Sequence, residues 1–328
     1  MTLSSNLKGA LLGLAAFAVF AVHDVVVKTL GGSYTPFQIV FFGVLFSFPL
    51  TTVMMMREKA HGNLRPRHPW WIALRTGAAV ITGLTAFYAF TVLPLAQVYA
   101  ILFASPLLIT VLSIPILGET VRLRRWLAVI VGLIGVVVVL RPGAVDLTLG
   151  HVAALTAAVG GALASVVVRK VGREERSVVL LLYPMVANFV LMACLMPFFY
   201  RPMPVGDLAA VGLMAALGFG ASLLLIAAYR AGEAAIIAPM QYSQILWASL
   251  FGFVLFGEGI DLNTALGAAI VIASGLYIVA RESRSSVSDN MPVLRTRSRP
   301  ETGTMPRVGP LLPDTAKPDL PGDKPDAD

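Results

Sequence analysis

SIPILGETVRLRRWLAVIVGLIGVVVVLR (residues 113–141) and GFVLFGEGIDLNTALGAAIVIASGLYIVAR (residues 252–281) are two similar segments of one chain. Each places a Gly-Glu pair between two apolar runs, and the pairs at 118–119 and 257–258 are offset by 139 residues. Each second run carries spaced glycines. These matches, in the same order in both segments, predict that the chain contains two related halves.

The composition indicates that both halves lie in a bilayer. Of 328 residues, 57% are hydrophobic and 13% are charged, whereas soluble domains have about 45–50% apolar and about 25% charged residues. The single cysteine, Cys194, excludes a disulfide framework and a cysteine-based metal site. The net charge of +7 comes from basic residues in short loops, which is typical of membrane topology and does not indicate a nucleic-acid partner.

The apolar runs predict ten transmembrane helices. A bilayer core of about 30 Å needs about 20 apolar residues per helix. The runs are continuous and not alternating, which favours helices over barrel strands. The predicted spans are 9–30, 35–56, 70–92, 95–117, 124–141, 150–169, 177–199, 207–229, 234–256 and 262–280.

Alternate loops carry most of the Lys and Arg residues, which predicts an inner-membrane protein with both termini in the cytoplasm. DVVVK (24–28) in the first span matches SVVVR (165–169) in the sixth at a similar offset. Because each half has five spans, the second half must enter the membrane from the opposite side. Inverted repeats of this kind are typical of secondary transporters.

Residues 73–143 carry the strongest resemblance to a known family. They contain the aromatic stretch FYAF, the short connection LPLA, a fourth helix broken by proline, and the Gly-Glu pair before a glycine-spaced fifth helix. This segment resembles the EamA-type repeat of the drug/metabolite transporter superfamily. The resemblance implies an all-α membrane protein of ten helices, arranged as two inverted five-helix repeats at 9–143 and 148–281.

The segment that follows the second repeat, 282–328, is rich in proline and has almost no apolar clusters. It buries too little surface to offset the entropy of ordering, so we predict a disordered cytoplasmic tail.

The first span carries three ionisable residues in FAVHDVVVKTL (20–30). Lys28 is near the helix end and can extend to the headgroups. Asp24 is deeper, and a charge at mid-helix costs about 2.5–3.5 kcal/mol, so it must face protein or a water-filled cavity. Asp24 and Lys28 share a helix face and can pair. His23 points about 100° away from Asp24 on a regular helix. The pair either only fixes the helix or forms part of a transport pathway.

Two further spans combine polar and aromatic residues with prolines, which leave backbone carbonyls free beside a cavity. The ninth span contains PMQYSQILW (239–247), which can stack on and hydrogen-bond an organic molecule or only join helices. Tyr88 and Tyr99 either line a cavity or belong to the interfacial aromatic belt. The predicted substrate-binding or coupling residues are Asp24, His23, Lys28, Tyr88, Tyr99, Gln241, Tyr242 and Trp247.

No Walker A, GxSxG or HExxH motif is present in the sequence, and the histidines lack metal-ligand spacing. We therefore predict no cofactor, no metal and no enzyme activity.

The predicted function is a secondary transporter that moves a small organic metabolite by alternating access. Proton coupling and uncoupled exchange, import and export, and monomer and homodimer all stay open. The alternatives are a membrane-embedded enzyme acting on lipid or peptide, and a non-transporting membrane sensor.

Overall fold

The structure is a computed structural model that describes residues 5–57, 65–119, 121, 123–143, 146–172 and 174–282. Every regular element in these ranges is a helix, as the sequence predicts. The predicted tail lies outside the described residues apart from Glu282. The helices are α1 (Ser5–Gly31), α2 (Pro36–Arg57), α3 (Pro69–Val92), α4 (Leu95–Leu102), α5 (Ser105–Leu117), α6 (Leu123–Leu140), α7 (Leu149–Val171), α8 (Ser177–Phe199), α9 (Val205–Ala231), α10 (Ala234–Ile237), α11 (Ser243–Phe256) and α12 (Leu262–Glu282).

Among the described residues, eight helices are long and apolar enough to cross a membrane, with α4 and α5 together forming one of them. A ninth apolar stretch, Pro36–Thr52 in α2, is shorter. The chain is therefore a multi-pass membrane protein, and the count of ten stays a prediction. The outer face of α6 is consistent with contact to lipid, because an exposed apolar face of this kind is unusual in a soluble protein. Its half-exposed side chains are Leu127, Ile130, Val131, Ile134 and Val137.

Two of the predicted spans are broken near their middle. The first break separates α4 from α5 at Phe103–Ala104, just before Pro106, which has no amide hydrogen to continue the helix. The second is a 3₁₀ turn, Ala238–Tyr242, that joins α10 to α11 and contains Pro239. Both breaks lie inside the protein, where the aromatic ring of Phe103 contacts that of Tyr242 at 5.0 Å between centroids.

Helices from the two predicted halves pack crosswise. The most extensive helix contacts are those of α1 with α9, α3 with α7, and α6 with α12. Between α6 and α12 the backbones approach closely at Gly135 and Gly267. A Cβ atom added at Gly135 would lie 2.8 Å from the carbonyl oxygen of Gly267, and one added at Gly267 would lie 2.6 Å from that of Gly135. Small residues permit this approach, which is how helices gain packing energy in lipid.

Polar contacts join the loops at the helix ends. The Tyr34 hydroxyl donates to Asp207 Oδ2 at 2.5 Å, and Gln38 exchanges two hydrogen bonds with the backbone of Arg201. The hydrogen bond to Asp207 raises the pKa of Tyr34 above its ordinary value, so the neutral phenol keeps donating at physiological pH. Between α2 and α3, the backbone amide of His68 donates to Glu175 Oε1 at 2.6 Å.

We predict that Gly135→Ala destabilises the protein by about 1–3 kcal/mol, because the new methyl group overpacks a backbone contact. The measurement is the thermal unfolding midpoint of the purified protein in detergent. Gly77→Ala is the matched control, since nothing lies within 4 Å of a Cβ at that helical position, and alanine there adds up to about 1 kcal/mol of helix propensity. Equal midpoints for the two variants would contradict the close contact between α6 and α12.

Candidate functional site

Asp24 is the single acidic residue of α1. It lies seven residues before Gly31, the last residue of α1, which corresponds to about 10 Å along the helix. Its exposed fraction is 0%, so its oxygens depend on protein groups to replace water. The sequence predicts that Asp24 faces protein or a water-filled cavity, and its side chain is fully buried in the structure.

Three polar side chains extend from Asp24 in a chain of hydrogen bonds. His23 Nδ1 lies 2.8 Å from Asp24 Oδ1. The Tyr99 hydroxyl, on α4, donates to Asp24 Oδ2. Gln244 Nε2, on α11, donates to the Tyr99 hydroxyl oxygen at 3.2 Å. All four side chains are almost fully buried. We call these four residues the Asp24 network, and it links the first helix of the chain to the broken spans of both halves.

Aromatic rings surround this network and exclude water from it. The rings of Phe87 and His23 meet edge to face at 6.3 Å, and Phe90 packs edge to face on Tyr99 at 5.5 Å. Tyr99 also contacts Phe103, whose ring reaches Tyr242. The arrangement places a carboxylate, an imidazole and an amide among aromatic faces. Hydrogen-bonding groups set among aromatic faces are the usual lining of small-molecule sites in proteins.

Lys28 forms an ion pair that spacing along α1 alone does not reveal. Its Nζ lies 2.6 Å from Glu258 Oε1 and donates to the carbonyl oxygen of Leu93 at 2.6 Å. The second carboxylate oxygen of Glu258 accepts the Leu95 amide at 3.1 Å. The Lys28 ammonium also lies 5.4 Å from the ring centroid of Phe256. Glu258 therefore ties the end of α11 to α1 and to the start of α4.

The remaining predicted residues lie outside the Asp24 network. Tyr88 is half-buried against the main hydrophobic core, and Gln241 is half-buried in the 3₁₀ turn. Tyr242 is 5% exposed, and its hydroxyl sits directly over Gly275 of α12, where a Cβ atom would collide with it. Among the described residues, the indole N–H of Trp247 has no hydrogen-bond partner, and the Tyr242 hydroxyl has none at hydrogen-bond distance, although the Gln241 side chain lies close enough to interact with it.

Sequence reasoning missed Gln244 as a site residue. It belongs to PMQYSQILW, the polar stretch that points to a site, but Gln241 was chosen from the same stretch. The 3₁₀ turn through Tyr242 changes the rotation of α11, and it is Gln244 that reaches Tyr99. Within the described ranges, no group of three His, Cys, Asp or Glu side chains is placed to hold a metal ion.

Known proteins resemble this chain over most of its length. The profile of the EamA-like transporter family matches residues 7–141 and again 148–280. The S-adenosylmethionine uptake transporter of Rickettsia prowazekii is 27% identical over 290 residues, which are 87% of this chain and 97% of the relative. The riboflavin transporter of Vibrio cholerae is 29% identical over 302 residues, covering 85% and 95%. A solved crystal structure covers 87% of this chain with a TM-score of 0.55 and 19% identity, which supports the fold alone.

We predict that Tyr99→Phe lowers the stability of the purified protein by about 1–3 kcal/mol, because it leaves Asp24 and Gln244 without their shared hydroxyl partner. The measurement is again the thermal unfolding midpoint in detergent. Tyr277→Phe is the matched control. Because Tyr277 on α12 is 44% exposed, this variant should have the same unfolding midpoint as the wild type. A Tyr99→Phe midpoint equal to that of the control would mean that the network adds no stability.

Proposed function

The chain belongs to the EamA-like transporter family, and on that premise we propose that it carries a small organic metabolite across the inner membrane by alternating access. The observation that carries the proposal is the Asp24 network. A carboxylate with no solvent exposure joins α1 to α4 and α11 in the middle of a membrane protein. Ionisable groups at such depth are characteristic of substrate and proton pathways.

We further propose that the two halves, 9–143 and 148–281, are inverted repeats and that the chain crosses the membrane ten times. The short apolar helix α2 and the broken segment from α10 to α11 would supply the two additional spans. Three observations support this reading. The profile match is repeated, the two broken spans have their breaks at equivalent positions, and the main helix contacts are exchanged between halves. Both termini would then be cytoplasmic, with most Lys and Arg residues in the cytoplasmic loops.

In this mechanism the Asp24 network is reached from one side of the membrane at a time. Asp24 and His23 would bind a positively charged group of the substrate or take up a proton during the cycle. Tyr99 holds the carboxylate through its hydroxyl, and Gln244 orients that hydroxyl. The donors of Tyr242 and Trp247 are available to hydrogen-bond a substrate. Lys28 acts at the end of the pathway through Glu258.

The relatives suggest which substrates to test first. S-adenosylmethionine and riboflavin each join a planar heteroaromatic ring system to polar groups. The aromatic rings of Phe90, Phe103 and Tyr242 and the polar groups beside them are suited to such molecules. We therefore propose a substrate that contains a heteroaromatic ring. Family membership favours transport over the alternative of a membrane-embedded enzyme, because an inverted duplication serves alternating access.

The test compares metabolites in cells and medium for a deletion strain and for strains that produce wild type, Asp24→Asn or Asp146→Asn. We expect wild type to redistribute at least one metabolite across the membrane. We expect Asp24→Asn to reach the membrane but to show transport activity about tenfold or more below that of wild type. The substitution removes a buried, hydrogen-bonded charge whose interactions contribute on the order of a few kcal/mol.

Asp146→Asn is the matched control, because Asp146 is exposed in the loop before α7 and the same chemical change there should have no effect. Full activity of Asp24→Asn would remove Asp24 from the mechanism. A wild type that moves no compound would contradict the transport proposal itself.

A further inference from the structure

Besides the more exposed pairs Arg141–Asp261 and His68–Glu174, two more deeply buried ion pairs outside the Asp24 network connect the proposed halves. The first joins Lys28 at the end of α1 to Glu258 at the end of α11. The second joins Arg169 at the end of α7 to Glu119 at the end of α5. Lys28 and Arg169 occupy matching positions in DVVVK and SVVVR, and the two glutamates occupy matching Gly-Glu pairs. In each pair the basic residue and the glutamate come from different halves.

Both glutamates are held by the same local backbone. Gly118 and Gly257 end their helices in the left-handed conformation, with φ of 70° and 66°, which favours glycine. The backbone amide of the following glutamate then hydrogen-bonds to its own helix. The Glu119 amide donates to the carbonyl oxygen of Ser113 at 3.4 Å, and the Glu258 amide donates to that of Gly252 at 2.9 Å. Each carboxylate reaches a basic residue of the opposite half, and that of Glu258 does so while lying beside Gly252 of its own helix.

The two ion pairs lie at opposite ends of the protein. The Leu95 amide contacts Glu258, and two residues later the Gln97 Nε2 atom lies 3.0 Å from His151 Nε2 at the start of α7. The start of α7 is therefore at the same end of the protein as the Lys28–Glu258 pair. Arg169 is 18 residues further along α7, which places it about 27 Å away at 1.5 Å per residue. The Lys28–Glu258 and Arg169–Glu119 pairs thus lie near opposite ends of the region that contains the Asp24 network.

Both pairs are partly buried. The side-chain exposed fractions are 11% and 20% for Lys28 and Glu258, and 13% each for Arg169 and Glu119. Two charges in such a setting depend on each other, because separating them without water leaves both unsatisfied. If the helix ends move apart and water enters, hydration can replace the ion pair. These pairs are therefore suited to two discrete states, one closed and dry and the other open and wet.

We propose that Lys28–Glu258 and Arg169–Glu119 are two latches, each of which closes one end of the transport pathway and opens when the other stays closed. The inference rests on the proposed transport function. The latches also differ in one respect. Asp24 lies one turn before Lys28, whereas Ser165 occupies the matching place before Arg169, and its hydroxyl donates to the Gly161 carbonyl oxygen at 2.8 Å. A change in the charge or occupancy of Asp24 acts first on the Lys28 latch.

The test uses two reporter cysteines at matched buried positions. Leu30 and Val171 each follow their basic residue by two positions and are 4% and 3% exposed. Each is replaced by cysteine in a Cys194→Ser background, and the rate of labelling by a water-soluble maleimide is measured on the purified full chain in detergent. Glu258→Gln should speed labelling at residue 30 by about fivefold without speeding it at residue 171. Glu119→Gln should do the reverse, because removing one partly buried pair shifts the balance between two states.

The exchanged pair Lys28→Glu with Glu258→Lys should return labelling at residue 30 toward the wild-type rate. Where a glutamate variant fails to fold, Lys28→Gln or Arg169→Gln replaces it, since each removes the same pair from the other side. Equal acceleration at both reporters, or no acceleration at either, would overturn the proposal. The labelling needs no substrate. If labelling changes at the expected reporter but the protein transports no metabolite, the proposed function is refuted. If the protein transports a metabolite but the labelling rates do not change as expected, the latches are refuted.

Discussion

The rest of this structure depends on the burial of one carboxylate. Asp24 has no solvent exposure in a helix of a membrane protein, where a lone charge costs about 2.5–3.5 kcal/mol. A hydrogen bond to a charged group returns about 1.5–3 kcal/mol, so the contacts from His23 and Tyr99 can together offset the cost. The Tyr99 contact fixes α4 against α1, and Gln244 fixes α11 against α4. The requirement to satisfy one carboxylate therefore orients the broken spans.

The crossed arrangement of the helices gives this network its place in the proposed transport cycle. Helix α1 of the first half packs on α9 of the second, and α7 of the second half packs on α3 of the first. The Asp24 network lies between the Lys28–Glu258 and Arg169–Glu119 pairs, and it shares α1 and α11 with the first of them. A movement that separates α1 from α11 must then disturb both the Lys28 ion pair and the Asp24 network. In the proposed mechanism, this shared pair of helices lets substrate or proton binding control access to the network.

The sequence predicts the helices and the depth of Asp24 because both follow from local hydropathy and chain length. The break before Pro106 is predictable for the same reason, since a proline acts on its own helix. Partners distant in sequence are not predictable in this way. Gln244 and Glu258 reach Tyr99 and Lys28 through helix packing between the halves. The choice between Gln241 and Gln244 depends on the rotation set by one 3₁₀ turn, and His23 contacts its neighbour Asp24 although a regular helix directs their Cβ atoms apart.

The central claim is that Asp24 belongs to the pathway of the transported compound. The most direct measurement is the modification of Asp24 by dicyclohexylcarbodiimide, which reacts with protonated carboxyl groups in apolar sites, followed by mass spectrometry of the peptide that contains it. The account predicts that Asp24 is modified when the protein cycles and that a compound the protein transports slows this modification. Modification of Asp24 at the same rate with and without that compound would contradict the account.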